Sequence, residues 1–365
     1  MKKTGKLLAA VLAGAMALSM AGCGSAKPAE TTAAAGTTAA AAAETTAAQA
    51  AAATTGASTA ETTAAGAAAT SDKTFKIGVL QLVQHAALDA SNKGFFAALD
   101  EAGVKYEVDQ QNASGEQANC VTIAEKLVND KSDLILAIAT PAAQAVSGVT
   151  KDIPILLTAV TDPAASGLVD DNAAPGGNVS GTSDLTPVKE QIDLLKQLLP
   201  DAKKVGLLYC SAESNSELQI SMAKEACDAS GLTYEEYTVP SSNEIQSVVE
   251  SMVGKVDVIY APTDNVSAAG MATVSMGATD NKIPVICGEA GMVEAGGLAT
   301  YGIDYYQLGY MAGEQAIDIL TKGADVSKMP IGYLPAERCE LTVNKTTADA
   351  LDVNVAGLKN AVIVE

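Results

Sequence analysis

The strongest constraint on this chain is that one strand–helix alternation runs through it twice. Phe75–Leu80 reads as a strand, Ala90–Ala102 as a helix stopped by Gly103, Lys105–Asp109 as a strand and Glu116–Asn129 as a helix. Leu134–Ala139 and Ile155–Ala159 read as further strands around a helix over Ala142–Val149. The order returns with Lys204–Tyr209, Glu217–Ser230, Tyr234–Val239, Glu244–Val253, Val256–Ala261, Ala268–Asp280 and Pro284–Cys287. Short apolar runs without polar interruption suit strands buried on both faces. The amphipathic stretches between them supply crossover helices, so the sheets are expected to be parallel with right-handed connections. The halves also match residue by residue. Ile77-Gly78-Val79-Leu80 corresponds to Val205-Gly206-Leu207-Leu208, and Gly103, Val104 and Tyr106 correspond to Gly231, Leu232 and Tyr234 at the same spacing. Two similar α/β lobes are therefore expected. A long helix over Tyr305–Lys322, ended by Gly323, then a strand at Cys339–Val343 and a helix at Thr346–Leu351, must pack on one lobe or the other. A return to the first lobe makes the chain cross between lobes several times, which is a multi-strand hinge suited to opening and closing.

The amino terminus sets the compartment. Lys2, Lys3 and Lys6 precede an apolar run, Leu7–Ser19, too short to span a bilayer comfortably, and small residues lead to Met20-Ala21-Gly22-Cys23. Residues 1–22 read as a secretory signal peptide. Their end resembles a bacterial lipobox, with Met20 where leucine is commoner, and this implies that Cys23 is the lipidated first residue of the mature protein. Residues 23–73 are almost all Ala, Thr, Gly, Ser and Glu, a composition that cannot bury enough surface to offset its ordering entropy. They are expected to be a disordered tether from the membrane to the folded body, placing the protein outside the cytoplasm.

Several functions are excluded. The formal charge of −20 and a single arginine, Arg338, argue against nucleic acid as a partner. Besides Cys23 the chain has Cys120, Cys210, Cys227, Cys287 and Cys339, with no CxxC pair to suggest zinc or redox chemistry. There is no Walker A loop, GxGxxG, HExxH or nucleophile elbow, so no cofactor, metal or catalysis is expected.

In open parallel sheets ligands bind beyond the carboxyl ends of the strands, where helix N-termini offer free N–H groups. The segments there are Gln81–Asp89, Thr140-Pro141-Ala142 and Thr161-Asp162-Pro163 in the first half, and Tyr209–Asn215, Thr263-Asp264-Asn265 and Gly288-Glu289 in the second. Thr140 and Thr161 suit a carboxylate, Asp264 and Glu289 an ammonium, and facing walls of this kind would hold a zwitterion. His85 is the only histidine and lies just past the first strand. Tyr209, Tyr301, Tyr305 and Tyr306 are the aromatic residues placed to stack on a ligand.

Lys76-Ile-Gly-Val-Leu-Gln-Leu-Val-Gln-His85, Ile138-Ala-Thr-Pro-Ala-Ala-Gln144, Thr161-Asp-Pro163, Pro175-Gly-Gly-Asn-Val-Ser-Gly181, Pro262-Thr-Asp-Asn265 and Met292-Val-Glu-Ala-Gly-Gly-Leu298 together resemble the ABC transporter substrate-binding proteins of the tryptophan-transporter-like (TrpX-type) group. The resemblance covers residues 75–355. It implies a type I periplasmic-binding-protein fold, two Rossmann-like lobes around a ligand, with lobe 1 at 74–184 plus about 304–333 and lobe 2 at 185–303 plus about 334–365. It implies an ABC permease and ATPase as partners, a monomeric receptor, and an aromatic amino acid as ligand. By the same resemblance Gln81, His85, Thr140, Thr161, Asp184, Asn215, Asp264, Asn265 and Asp304 are candidate ligand contacts. A nucleoside or other small metabolite on the same fold, a sensory module and an exported enzyme are the alternatives.

Overall fold

The unbroken apolar runs become the central strands of two sheets. The structure, a computed structural model, describes residues 73–365, so the expected signal peptide, Cys23 and the tether up to residue 72 lie outside the described residues. The first half runs β1 (Phe75–Gln81), α1 (Ala86–Glu101), β2 (Tyr106–Asn112), α2 (Gln117–Asn129), β3 (Leu134–Ile138), α3 (Thr140–Val149), β4 (Ile155–Val160) and β5 (Val179–Ser183). The second runs α4 (Val188–Leu198), β6 (Lys204–Tyr209), α5 (Ser214–Ala229), β7 (Thr233–Thr238), α6 (Ile245–Met252), β8 (Val258–Ala261), α7 (Asn265–Ala269), α8 (Met271–Asp280), β9 (Val285–Cys287), α9 (Ala290–Glu294) and β10 (Ala299–Gly302). The chain ends with α10 (Tyr305–Lys322), β11 (Gly332–Tyr333), β12 (Glu340–Asn344), α11 (Lys345–Ala350) and β13 (Val362–Val364).

The strand orders are β11-β5-β4-β3-β1-β2 and β13-β12-β10-β9-β8-β6-β7. Both halves thus share one doubly wound order, with the reversal between β1 and β3 in the first and between β6 and β8 in the second. Every residue of β3 and β4 is buried, whereas the edge strands β2 and β7 are mostly exposed or half-buried. Complete burial of a Leu or Ile side chain contributes roughly 1.5–3 kcal/mol, which makes the central strands the anchors of each core. The repeated glycine of the two matching tetrapeptides has a packing reason. A Cβ on Gly78 would lie 2.8 Å from Ser132 Oγ and close to Leu127, and one on Gly206 would overlap Met252 and Val256.

All strand pairs are parallel except β10 with β12, which corrects the expectation of wholly parallel sheets. The register explains it. Gly302, where β10 leaves the second sheet, pairs with Glu340, where β12 enters it from the first, so the strands must run in opposite directions. Three segments cross between the sheets: Asp184–Pro187, Ile303–Asp304 and residues 334–339. After the second crossing, α10 packs against α1 of the first half at very close range. Cβ atoms on Gly94 or Gly309 would overlap the carbonyls of Tyr306 and Ser91, and Ser91 Oγ donates to the Tyr305 carbonyl at 3.1 Å. Asp304 caps α10 by accepting from Gln307 N, and Gly323 ends it in the left-handed conformation (φ 67°).

The sequence reading misses β5, α4, α9, β10, β11 and β13. β5 and β10 are Val-Ser-Gly-Thr-Ser and Ala-Thr-Tyr-Gly, too small and polar to signal strands, yet both are largely buried because helices and neighbouring strands cover them. The expected helix at Ala268–Asp280 is two helices that meet at Gly270, and α1 begins four residues before the expected Ala90, at Ala86. Among the described residues all five cysteines are unpaired, and no helix is long and apolar enough to cross a membrane.

Candidate functional site

The strand ends of the two halves face each other. From the first half come His85, which precedes α1, Leu88 on α1, Ala159 at the end of β4 and Asp184 on the first crossing. From the second come Thr263, Asp264 and Asn265 after β8, Ala268 on α7 and Glu289 after β9. With Tyr305 at the start of α10 these residues enclose a cavity of about 10 Å³, room for about one water molecule. A flanking cavity of about 110 Å³ opens beside it between Leu82, Gly115, Glu213, Pro240 and Asn265. The halves are held together across the cleft. His85 Nε2 meets Asn265 Oδ1 at 3.3 Å, and Gln219 Nε2 donates to Thr161 Oγ1 at 3.2 Å. At the rim, Gln117 Nε2 donates to the Ala212 carbonyl at 3.2 Å and Gln144 Nε2 to Ser214 Oγ at 3.4 Å. This is a closed arrangement, and entry of any ligand larger than water requires the lobes to part.

The backbone is strained where it forms the cleft. Ala139 (φ 83°) and Ala159 (φ 56°) end β3 and β4 in conformations that L-residues avoid, and β4 carries a register irregularity between Leu157 and Val160. Here the chain leaves β3 directly for α3 at Thr140 and leaves β4 for a loop at Thr161.

Each expected contact has a definite place. Gln81 is engaged within its own lobe: Nε2 donates to the Val83 carbonyl at 2.9 Å and to Asp89 at 2.7 Å, while Oε1 accepts from Asn92. Thr140 is buried and its Oγ1 has no partner. Asp184 accepts from Tyr305 Oη at 2.8 Å on Oδ2, and its Oδ1 has no partner. Asn215 donates to the Thr263 carbonyl and to Glu213, leaving Oδ1 unpaired. Asn265 donates to Glu213 at 2.6 Å through Nδ2, which turns its Oδ1 toward His85. That assigns the histidine tautomer: Nε2 carries the proton and Nδ1 is a bare acceptor.

Three expected contacts are also engaged within their own lobe. Asp264, fully buried, accepts from Ser267 N, Cys210 N and Ser216 Oγ, all at 2.7 Å, so its carboxylate caps α7 and braces its own lobe while lining the central cavity. Glu289 accepts from Gly291 N at 2.6 Å at the start of α9. Tyr209 is drawn away from the strand end, since its hydroxyl donates to Glu236 at 2.7 Å on the neighbouring strand. Asp304 caps α10 and lies on a separate acidic cavity of about 270 Å³ with Glu289, Glu294 and Glu340. Sequence reasoning misses Glu213 and Gln219 as site residues. Glu213 precedes α5 and meets Asn265 within its own half, whereas Gln219, in α5, meets Thr161 only where the two halves come together.

Burial dominates the electrostatics. It raises Asp184 to about 6 and Glu289 to about 7. It also raises Glu213, with the nearby Asp264 charge adding to the effect. Burial lowers His85, keeping the ring neutral. No Lys or Arg lines the central cavity.

Two similar doubly wound lobes, three crossings and a polar cleft at facing strand ends define a type I periplasmic binding protein. The chain belongs to the ABC transporter substrate-binding protein family, whose model matches residues 76–363. Proteins of this family are extracytoplasmic solute binders and as a class are not enzymes. The chain is 44% identical over 294 residues to a tyrosine-binding protein of Clostridioides difficile, covering 80% of this chain and 84% of that one. Among solved structures, it is similar to the ABC domain from Streptococcus pneumonia in complex with L-Trp (40% identity, TM-score 0.77, 80% of this chain and 100% of that one). It is also similar to the ligand-free, open structure of a substrate-binding protein with adhesive properties from Clostridium difficile (45% identity, TM-score 0.61, 80% and 99%). The more identical chain, described as open, has the lower TM-score.

Proposed function

We propose that this chain is the lipid-anchored receptor of an ABC importer and that it clamps an aromatic amino acid between its lobes. The observation that carries the reading is the set of buried polar atoms left without partners at the closed strand ends: His85 Nδ1, Thr140 Oγ1, Asp184 Oδ1 and Asn215 Oδ1. Buried polar groups are almost always paired, and leaving one unpaired costs about 1–3 kcal/mol. Acceptors and a hydroxyl on facing walls match the two ends of a zwitterion. Thr140, at the N-terminus of α3, suits the carboxylate, while Leu88, Ala159 and Ala268 supply an apolar wall for a side chain. The tyrosine and tryptophan named for two relatives favour an aromatic side chain.

In this reading the lobes comprise 74–184 with about 304–333 and 185–303 with about 334–365. The signal peptide ends at residue 22, Cys23 carries the lipid, and the monomeric receptor delivers its ligand to a permease and ATPase. Calorimetric titration of the chain from Asp72 onward, unfolded and refolded to strip bound ligand, tests it. Micromolar or tighter binding of Tyr, Trp or Phe is expected. Absence of binding to every amino acid would refute the ligand class. Retention of the full-length protein in the aqueous phase after detergent partition, with Cys23 unmodified by mass spectrometry, would refute the anchor.

A further inference from the structure

The central cavity carries two acceptors that nothing in the protein satisfies. His85 gives its Nε2 proton to Asn265, so Nδ1 is a bare lone pair. Asp184 takes the Tyr305 hydroxyl on Oδ2, so Oδ1 is bare. Both residues line the same cavity, and Asp184 is only 4% exposed. The titratable groups that share this space are Tyr305, Asp264 and Glu289, and none of them is a cation. The two acids that strand-end position suggests for an ammonium are each engaged within their own lobe, Asp264 by three donors and Glu289 by Gly291 N at the start of α9, and neither has a buried oxygen left without a partner. A primary ammonium offers several N–H donors and a positive charge, the complement of bare acceptors on a wall that carries carboxyls and no cation.

Asp184 also has a mechanical position. It is the first residue of the crossing from β5 to α4, and Tyr305 opens α10 directly after the crossing from β10. Their 2.8 Å hydrogen bond therefore ties two of the three crossings together at the cavity wall.

The structure assigns Asp184, with His85 lining the same cavity, as the acceptor of the ligand's ammonium group, and makes that contact, through Tyr305, the link between occupancy and hinge closure. This rests on the reading that the ligand is an amino acid. Closure then depends on the ammonium: a molecule with the same ring and carboxylate but no amine leaves both acceptors buried and unpaired.

The test uses the chain from Asp72 onward, which contains both sheets and all three crossings. It is titrated with L-tyrosine, L-tryptophan and L-phenylalanine. Each is compared with its own deaminated analogue, 3-(4-hydroxyphenyl)propionate, 3-(indol-3-yl)propionate or 3-phenylpropionate. Wild type is expected to prefer its amino acid over the matching propionate by on the order of 10²-fold or more, the scale for truncating one partner of a buried charged contact. Asp184→Asn should weaken the amino acid by a similar factor and reduce the preference to about tenfold or less, with propionate binding no weaker than in wild type. Tyr305→Phe keeps the ring but frees Asp184, and should leave the liganded protein incompletely closed by small-angle scattering. Asp184→Asn binding the amino acid like wild type, or keeping the full preference, overturns the assignment. Should that variant fail to fold, equal affinity of wild type for the amino acid and its propionate overturns it instead. If wild type binds no amino acid at all, it is the proposed function that fails.

Discussion

The cleft buries carboxyls in the closed state, so the empty protein should open as the pH rises. Asp184 goes from an ordinary 3.8 to about 6 and Glu289 from 4.5 to about 7. At about 1.4 kcal/mol per pH unit, ionisation disfavours the closed cleft by at most about 3 kcal/mol for Asp184 and about 3.5 kcal/mol for Glu289. The figures are ceilings, reached only where opening fully hydrates the group. The sign follows from proton binding. Between its open-state and closed-state values each carboxyl holds its proton only in the closed form, so closure is favoured below about pH 4 and loses that support as the pH rises to about 6 for Asp184 and about 7 for Glu289. Glu213 is raised in the same direction. His85 opposes them. Its value is lowered by burial, so it supports closure above 6.5 and withdraws that support as the pH falls. Tyr305 and Asp264, which face the same cavity, complete the set of titratable neighbours. With three carboxyls against one imidazole, the open-to-closed ratio should rise with pH, by up to about tenfold per unit for each unopposed carboxyl. Small-angle scattering of the ligand-stripped protein from pH 5 to 8 reads this directly, and His85→Gln should steepen the change below pH 6.5. A ratio that stays flat, or a protein that closes as pH rises, would refute the reasoning. A bound ammonium should hold the protein closed across the whole range.

Gly309→Ala would force a methyl into the Ser91 carbonyl and should lower unfolding stability by about 2–3 kcal/mol in denaturant titrations. Gly148→Ala, in the last turn of α3 with open space around it, should raise stability by about 0.5–1 kcal/mol in the same assay. Asp264→Ala strips three donors of their acceptor and should cost about 3 kcal/mol or more of stability. Wild-type stability with selective loss of binding would instead restore Asp264 as a ligand contact.

Much of the fold is legible without coordinates, because it is written in local periodicity. The apolar runs at 134–138 and 155–160 allow only strands buried on both faces, and α10 announces its end with Gly323. The repeat of Ile-Gly-Val-Leu as Val-Gly-Leu-Leu betrays two lobes because both glycines yield to a helix pressed on the first strand of each half. What the chain could not declare locally is what its groups do once buried. Asp184 and Asp264 look alike in sequence. Tertiary packing leaves one with an oxygen that has no partner, and surrounds the other with three donors from its own lobe. β5 and β10 are strands only because their neighbours cover them, Glu213 meets Asn265 only through the folding of its own half, and Gln219 reaches Thr161 only when two halves far apart in sequence close on each other. Strand and helix follow from which side chains prefer water. Hydrogen-bond satisfaction and proton affinity follow from which groups lose it together, and that is decided by the meeting of the lobes.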